Sequence, residues 1–203
     1  MNKLKNDVAK TSYHHGDLRQ TLLQAATKLI EKNGIDGLSL RKLATEVGVS
    51  RTAPYHHFKD KHQLLCAIAE EGYKLHLQRV KELFNDETLS AEQMFSEYVH
   101  GYVKIAHENP ELYELMFGHT IWKGQKSTPE LRDAAYPCFH QQVEMIRFWQ
   151  KKGLIKAEED AVRQSQVIWG TLHGITKLLI DGIYTDPSNV EEMYDCAIDL
   201  FSI

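Results

Sequence analysis

Residues 39–61, SLRKLATEVGVSRTAPYHHFKDK, hold the pattern that decides the fold. Leu40, Leu43, Ala44 and Val47 recur at i, i+3, i+4 and i+7, the buried stripe of a short helix. Ser39 stands at its N-cap position. Ala44 is small where a second helix must cross closely, Gly48 supplies the positive φ of a tight turn, and Val49 plugs the angle between the helices. Ser50 then caps a second helix that runs to about residue 57. Small residue, glycine, apolar plug and capping serine at these spacings describe a helix-turn-helix. The second helix is too polar for a core. Arg51, Thr52, Tyr55, His56 and Lys59 offer donors, and only Ala53, Pro54 and Phe58 are apolar. Such a face is either an ordinary solvated helix or one that meets DNA. Pro54 removes the N–H that would satisfy the Ser50 carbonyl, a loss that a tighter helix start near the first turn absorbs.

Working outward, helical periodicity continues nearly everywhere and no strand alternation stands out. A helix over 18–32 carries the stripe Leu18, Leu22, Ala25, Ala26, Leu29 and stops at Asn33-Gly34. Residues 1–12 are polar, with order expected from about 13. After the motif, Asp60 and Gln63 open a long helix to about 84, a rigid link between a head and a body. Ser90 and Gln93 form a capping box for a helix over 90–108, and Asn109-Pro110 starts a short one to about 118. Residues 119–128 read as a loop containing Gly124. Thr128-Pro129 starts a helix to about 152 that Pro137 should kink. Two more helices follow, over 158–181 and from Asp186-Pro187 to about 201. The sum is an all-α chain of about nine helices: a three-helix head over 1–62 and a helical body over 63–203.

The chain has 203 residues and a net charge of −4, which hides an asymmetry. Residues 1–62 hold 11 Lys+Arg against 6 Asp+Glu, while residues 63–203 hold 13 against 22. A basic end on an acidic body suits a polyanionic partner at that end. No stretch of 18 apolar residues exists, so no membrane span is expected, and MNKLKNDVAK has no apolar core of a secretory signal, which points to the cytoplasm. Cys66, Cys138 and Cys196 are far apart and odd in number, as reduced thiols would be. The adjacent pairs His14-His15 and His56-His57 diverge by about 100° on a helix, and His100 and His107 lie two turns apart, so no metal site is expected. No HExxH, Walker loop, GxGxxG or GxSxG occurs; neither catalysis nor a cofactor is expected.

The run from Leu40 to Leu65, above all Gly48-Val49-Ser50, Tyr55, His57-Phe58-Lys59 and Lys61, resembles the TetR family of bacterial transcriptional repressors. Tyr13-His14-His15-Gly16-Asp17-Leu18 is similar to the opening of one branch, and Trp169-Gly-Thr-Leu-His173-Gly174 to the Trp-x-x-x-His-Gly signature of one type of regulatory domain. Pro54 and His56 depart from the aliphatic residue and the arginine most frequent there. The resemblance implies double-stranded DNA as a partner of the head, a homodimer, and a small-molecule effector in the body. Arg41, Lys59 and Lys61 would then hold phosphates, Tyr55 would donate through its hydroxyl, and Ser50 would both cap its helix and reach a phosphate. Arg51, Thr52 and His56 would meet base edges, the arginine taking a guanine in two hydrogen bonds.

An effector cavity in the body, again an implication of the resemblance, would draw on its concentrated aromatics. Candidates are Phe95, Tyr98, Tyr102, Met116, Phe117, Trp122, Tyr136, Phe139, His140, Trp149, Trp169 and His173. Apolar walls with a few polar groups suit an amphipathic or hydrophobic molecule. An aromatic stripe at helical spacing is more often plain core, and His173 beside Trp169 more often a hydrogen-bonded core histidine than a ligand contact. The family's last two helices pair across a dimer, which would place Gly170, Gly174 and Met193 at an interface. The two glycines fit a helix contact within one chain equally well. The competing functional reading is an all-helical carrier or enzyme whose head binds protein; it requires a nucleophile or acid–base pair among the aromatics, and none stands out.

Overall fold

The computed structural model describes residues 18–123, 126–184 and 190–202. Among them every regular element is helical, as the periodicity predicts: α1 (Leu18–Gly37), α2 (Leu40–Val47), a 3₁₀ segment (Ala53–His56), α3 (Lys61–Phe84), α4 (Ala91–Glu108), α5 (Pro110–Phe117), α6 (His119–Trp122), α7 (Pro129–Lys151), α8 (Ala161–Ile180) and α9 (Val190–Phe201). The readings of residues 1–17, of Gly124 and of the Asp186-Pro187 helix start fall outside the described residues.

Local side-chain chemistry sets most of the boundaries. Ser39, in extended conformation, accepts the Lys42 N–H at 3.2 Å and starts α2. Gly48 ends α2 at φ 73, and the Val49 N–H reaches back to the Ala44 carbonyl at 3.0 Å. Ser90 and Gln93 satisfy each other's backbone N–H groups at the head of α4. Thr128 caps α7 through the Leu131 N–H, with Pro129 at the first position.

Four expectations need correction. At Gly34, φ 70 breaks α1 at the predicted stop, but another turn follows to Gly37. Asp60 caps α3 through the Gln63 N–H, yet the Gln63 side chain takes the Lys59 N–H rather than that of Asp60. The expected loop after Gly118 opens with a helical turn, because Ile121 is fully buried and the Trp122 indole donates to the Met116 carbonyl at 2.5 Å. Helix α8 begins at Ala161 instead of 158, since Asp160 is the residue that accepts the Arg163 N–H. Pro137 lies exposed within α7.

The buried residues fall into two clusters. One joins Leu22, Leu23, Ala26 and Ile30 of α1, Leu40 and Leu43 of α2, and Phe58 to the first half of α3, and it extends to Leu115, Met116, Ile121 and Leu131. The other packs α4 against Tyr113, Met145, Ile146, Trp149, Ile168, Leu172 and Tyr194. Each large side chain so enclosed contributes roughly 1.5–3 kcal/mol. Helix α3 belongs to both, with Ile68 and Tyr73 in the first and Val80 in the second. The turn at Gly48 orients the 3₁₀ segment on the first cluster. Gly48→Ala, forced into left-handed backbone, should cost about 1–2 kcal/mol, read as a fall in the thermal midpoint of a few degrees.

Candidate nucleic-acid interface and ligand cavity

The second element of the helix-turn-helix is a single 3₁₀ turn, and the expected α-helix from Arg51 to about 57 does not form. Pro54 is the reason. Having no N–H, it cannot bond the Ser50 carbonyl, which instead accepts the Ala53 N–H at 3.0 Å. The tight pattern continues with Tyr55 N–H to Thr52 and His57 N–H to Pro54, both 3.0 Å. The Ser50 hydroxyl bonds the Thr52 hydroxyl at 3.1 Å and caps nothing. Pro54 and Phe58 point inward, and the Arg19 guanidinium lies over the Phe58 ring at 5.7 Å. Outward stand Arg41, Ser50, Arg51, Thr52, Tyr55, His56 and Lys59, with Tyr55 48% exposed despite its size. Lys61 is half-buried at the first turn of α3. The surface is thus donor-rich and cationic over an apolar anchor, a form suited to a phosphate backbone and base edges.

Below the head, a cavity of about 530 Å³ lies among α3, α4, α5, α6, α7 and α8. Of the residues nominated from sequence, Tyr98, Tyr102, Met116, Phe117, Trp122, Tyr136, Phe139 and Trp169 line it. Four do not. Phe95 and Trp149 pack on each other at 4.7 Å in the second core. His140 is exposed on α7. His173 sits behind the wall, its Nδ1 2.6 Å from the Tyr113 hydroxyl. The sequence reading missed Tyr73, His76, Leu77 and Val80 of α3, Ala135, Cys138 and Gln142 of α7, and Gln166 of α8. A signal for them existed. Residues 73, 76, 77 and 80, and again 135, 138, 139 and 142, repeat the i, i+3, i+4, i+7 stripe, each presenting one helix face to the cavity.

Polar groups behind and within this wall are ordered. The Trp169 indole donates to the Tyr102 hydroxyl at 3.0 Å, which is 2.9 Å from the Tyr113 hydroxyl, which meets His173. Burial raises the Tyr102 and Tyr113 phenols. Burial likewise lowers the His173 imidazole; Glu114 opposes that and Lys177 adds to it. The chain of bonds ends beside an ion pair, Lys177 Nζ to Glu114 Oε2 at 3.0 Å. Burial in the cavity wall, with Arg79 next in weight, holds His76 down from 6.5 to about 4. A neighbouring hollow of about 400 Å³ shares His76, Val80, Tyr98 and Tyr102 with the cavity and carries Arg79, Glu97, Lys104 and Glu108.

On α8, a Cβ built at Gly170 or Gly174 would meet nothing within 4 Å, so among the described residues none uses the close approach these glycines permit. Val167 beside them is 60% exposed, and on α9 Leu200 is 73% exposed while Met193 is half-buried. Cys66, Cys138 and Cys196 are all free. Among the described residues no group of three or more metal-ligating side chains converges, and no helix is long and apolar enough to cross a membrane.

The lowered His76 makes stability depend on pH. As pH falls below 6.5 the unfolded chain takes the proton first, so stability present above 6.5 is lost progressively down to about 4. The loss at the acid end should be on the order of 2–3 kcal/mol. Urea midpoints at pH 7.5 and pH 4.5 should differ, and His76→Phe should shrink that difference; an unchanged difference would place His76 in water.

The relatives of this arrangement are consistent across its length. A model of the tetR family of bacterial regulatory proteins matches residues 22–68, and a tetracyclin repressor-like C-terminal domain matches residues 95–201. The class A tetracycline repressor of transposon 1721, from Escherichia coli, is 48% identical over 50 residues, 25% of this chain and 23% of that protein. The chain thus spans about a quarter of the length of the first curated relatives it matches. A protein with unknown function from Rhodococcus sp. RHA1 shares 35% identity and a TM-score of 0.81 over 95% of this chain and 97% of that one. FadR from Bacillus subtilis, solved in complex with stearoyl-CoA, has a TM-score of 0.66 at 19% identity over 90% and 96% of the two chains, a likeness of fold alone. With both its head and more than half of its length matched by models of one family, the chain belongs to the tetR family of bacterial regulatory proteins, whose members are transcriptional regulators and not enzymes.

Proposed function

We propose that the chain is a homodimeric transcriptional repressor of the cytoplasm, released from a near-palindromic operator when a small molecule fills the cavity among α3–α8. The observation that carries this reading is the sharing of α3: one helix anchors the donor-rich head and walls the cavity. Arg41, Lys59 and Lys61 hold phosphates, Tyr55 donates to one through its hydroxyl, and Ser50 reaches another. Arg51, Thr52 and His56 read base edges. Two heads related by a two-fold axis need half-sites roughly 34 Å apart, or a small multiple of that. The dimer forms through the outer faces of α8 and α9, at Gly170, Gly174 and Met193. Trp169, His173 and Gly174, spaced as in the Trp-x-x-x-His-Gly regulatory type, support the same arrangement. A ligand entering between α3 and α7 tilts α3 and changes the head-to-head spacing, which requires that it favour one state by about 1–3 kcal/mol.

Footprinting of the purified protein on DNA upstream of its own coding region tests the reading directly. Binding should weaken steeply with salt. Tyr55→Phe should weaken binding to all sequences alike, whereas Arg51→Ala should cost about 1–3 kcal/mol and blur preference at one base pair. Intact affinity and preference in the Arg51 variant would overturn the recognition assignment. Gly170→Arg adds a long charged side chain where the monomer has open space, so the monomer should fold normally and sediment as a monomer at micromolar concentration. A variant that still dimerises would remove α8 from the interface.

A further inference from the structure

The cavity has a chemical signature that narrows what can occupy it. No aspartate, glutamate, lysine or arginine lines it. Its rings, among them Phe117, Trp122, Phe139 and Trp169, offer faces and edges to a flat guest. Three neutral polar groups in the wall have hydrogen-bonding capacity that no described residue uses. Gln142 is only 6% exposed, and its Nε2 donates to the Ser165 carbonyl at 3.2 Å. That bond fixes the amide and leaves Oε1 as an acceptor. Tyr98 is 5% exposed, and its hydroxyl bonds no group among the described residues. His76, uncharged at neutral pH, offers one donor and one acceptor, neither bonded among the described residues. Buried polar groups demand partners, so an occupant that supplies them is favoured over one that does not.

Resting on the reading of this cavity as the effector site, we propose that the effector is an uncharged aromatic molecule bearing a hydroxyl or N–H group, which donates to Gln142 Oε1 and accepts from Tyr98 or His76. An anionic effector such as a coenzyme A thioester is disfavoured. The cavity wall has no lysine or arginine to meet it, and the adjoining hollow holds two cations, Arg79 and Lys104, alongside two carboxylates, Glu97 and Glu108, so it carries no net positive charge.

The test titrates the full chain, free of DNA, with phenanthrene, 9-hydroxyphenanthrene, 9-phenanthrenecarboxylate and stearoyl-CoA. Quenching of Trp122 and Trp169 and calorimetry report binding. The hydroxy compound should bind about tenfold more tightly than the parent hydrocarbon and the carboxylate, and stearoyl-CoA should not saturate. Tyr98→Phe, which deletes a hydroxyl that bonds no described residue, should abolish most of the hydroxyl's advantage while leaving the thermal midpoint unchanged. Gln142→Leu should do the same, at some cost in stability through the lost Ser165 bond. Equal or tighter binding of the carboxylate or the thioester, no binding of the hydroxy compound, or indifference to Tyr98→Phe would overturn the proposal. Salt-dependent binding to random duplex DNA is measured on the same preparation. Its loss alone would sink the regulator reading, and loss of the ligand preference alone would sink only this one.

Discussion

The close crossing of α3 and α5 at Gly72 is the constraint on which the rest of the molecule depends. A Cβ at Gly72 would lie 2.6 Å from the Met116 sulfur and 3.2 Å from Leu112, so any side chain there would displace Met116. One residue on, the Tyr73 hydroxyl donates to the Met116 carbonyl at 2.7 Å, and the same carbonyl takes the Trp122 indole N–H. Helices α3, α5 and α6 are thereby fixed at one backbone atom. Met116 also lines the cavity and belongs to the buried cluster that holds Leu22 and Leu43 of the head. Close-packed interiors shift between discrete arrangements and do not deform smoothly, so a guest pressing on Met116, as proposed, would act on the same contacts that seat the head.

The head turns its apolar side inward and several cations outward. Its apolar residues, Leu40, Leu43, Pro54 and Phe58, face inward, and Arg41, Arg51 and Lys59 stand exposed without an ion pair among the described residues. In the body some cations are paired, as Lys74 with Glu70 and Glu71 and Lys177 with Glu114 and Asp181, while others such as Lys81, Lys151 and Arg163 stand exposed without an ion pair among the described residues. Unmatched surface cations keep a polyanion's phosphates as their best available partners, and each contact so made releases condensed counterions. The acidic balance of residues 63–203 keeps the body from competing for the same polyanion.

What could be read from sequence follows the range of the interactions involved. The caps at Ser39, Asp60, Ser90 and Thr128 were legible because each is settled within three residues. The Ser50 cap failed because Pro54 made a competing local demand, closing a 3₁₀ turn in which the Ser50 carbonyl, not its hydroxyl, is the acceptor that matters. The cavity was half legible for a different reason. Phe95 and Trp149 are as apolar and as periodic as Tyr98 and Phe139, and only the packing of α4 against α7 and α8 decides which rings meet each other and which meet a void. The α3 face escaped because its stripe was assigned to a connecting rod; a rod that also walls a cavity carries the same periodicity.

Helix α8 divides its surface in a way that bears on how a guest would be sensed. Its inward face gives Trp169 to the cavity, and its inward polar groups, Ser165 and Thr176, are fully enclosed. Its outward face has the bare backbone of Gly170 and Gly174 beside exposed Val167. The bond series from Trp169 through Tyr102 and Tyr113 returns to α8 at His173, next to the Lys177–Glu114 pair. A guest that takes a hydrogen bond from this series, or presses on Trp169, therefore strains α8 at two points one turn apart, against α4 and α5. In the proposed dimer the glycines would transmit a rotation of α8 to the second copy with no intervening side chain to absorb it. If the proposed function holds, a ligand's signal would reach the heads by two routes at once, through α3 at Met116 and through α8 at the subunit contact, and neither route would need a flexible hinge.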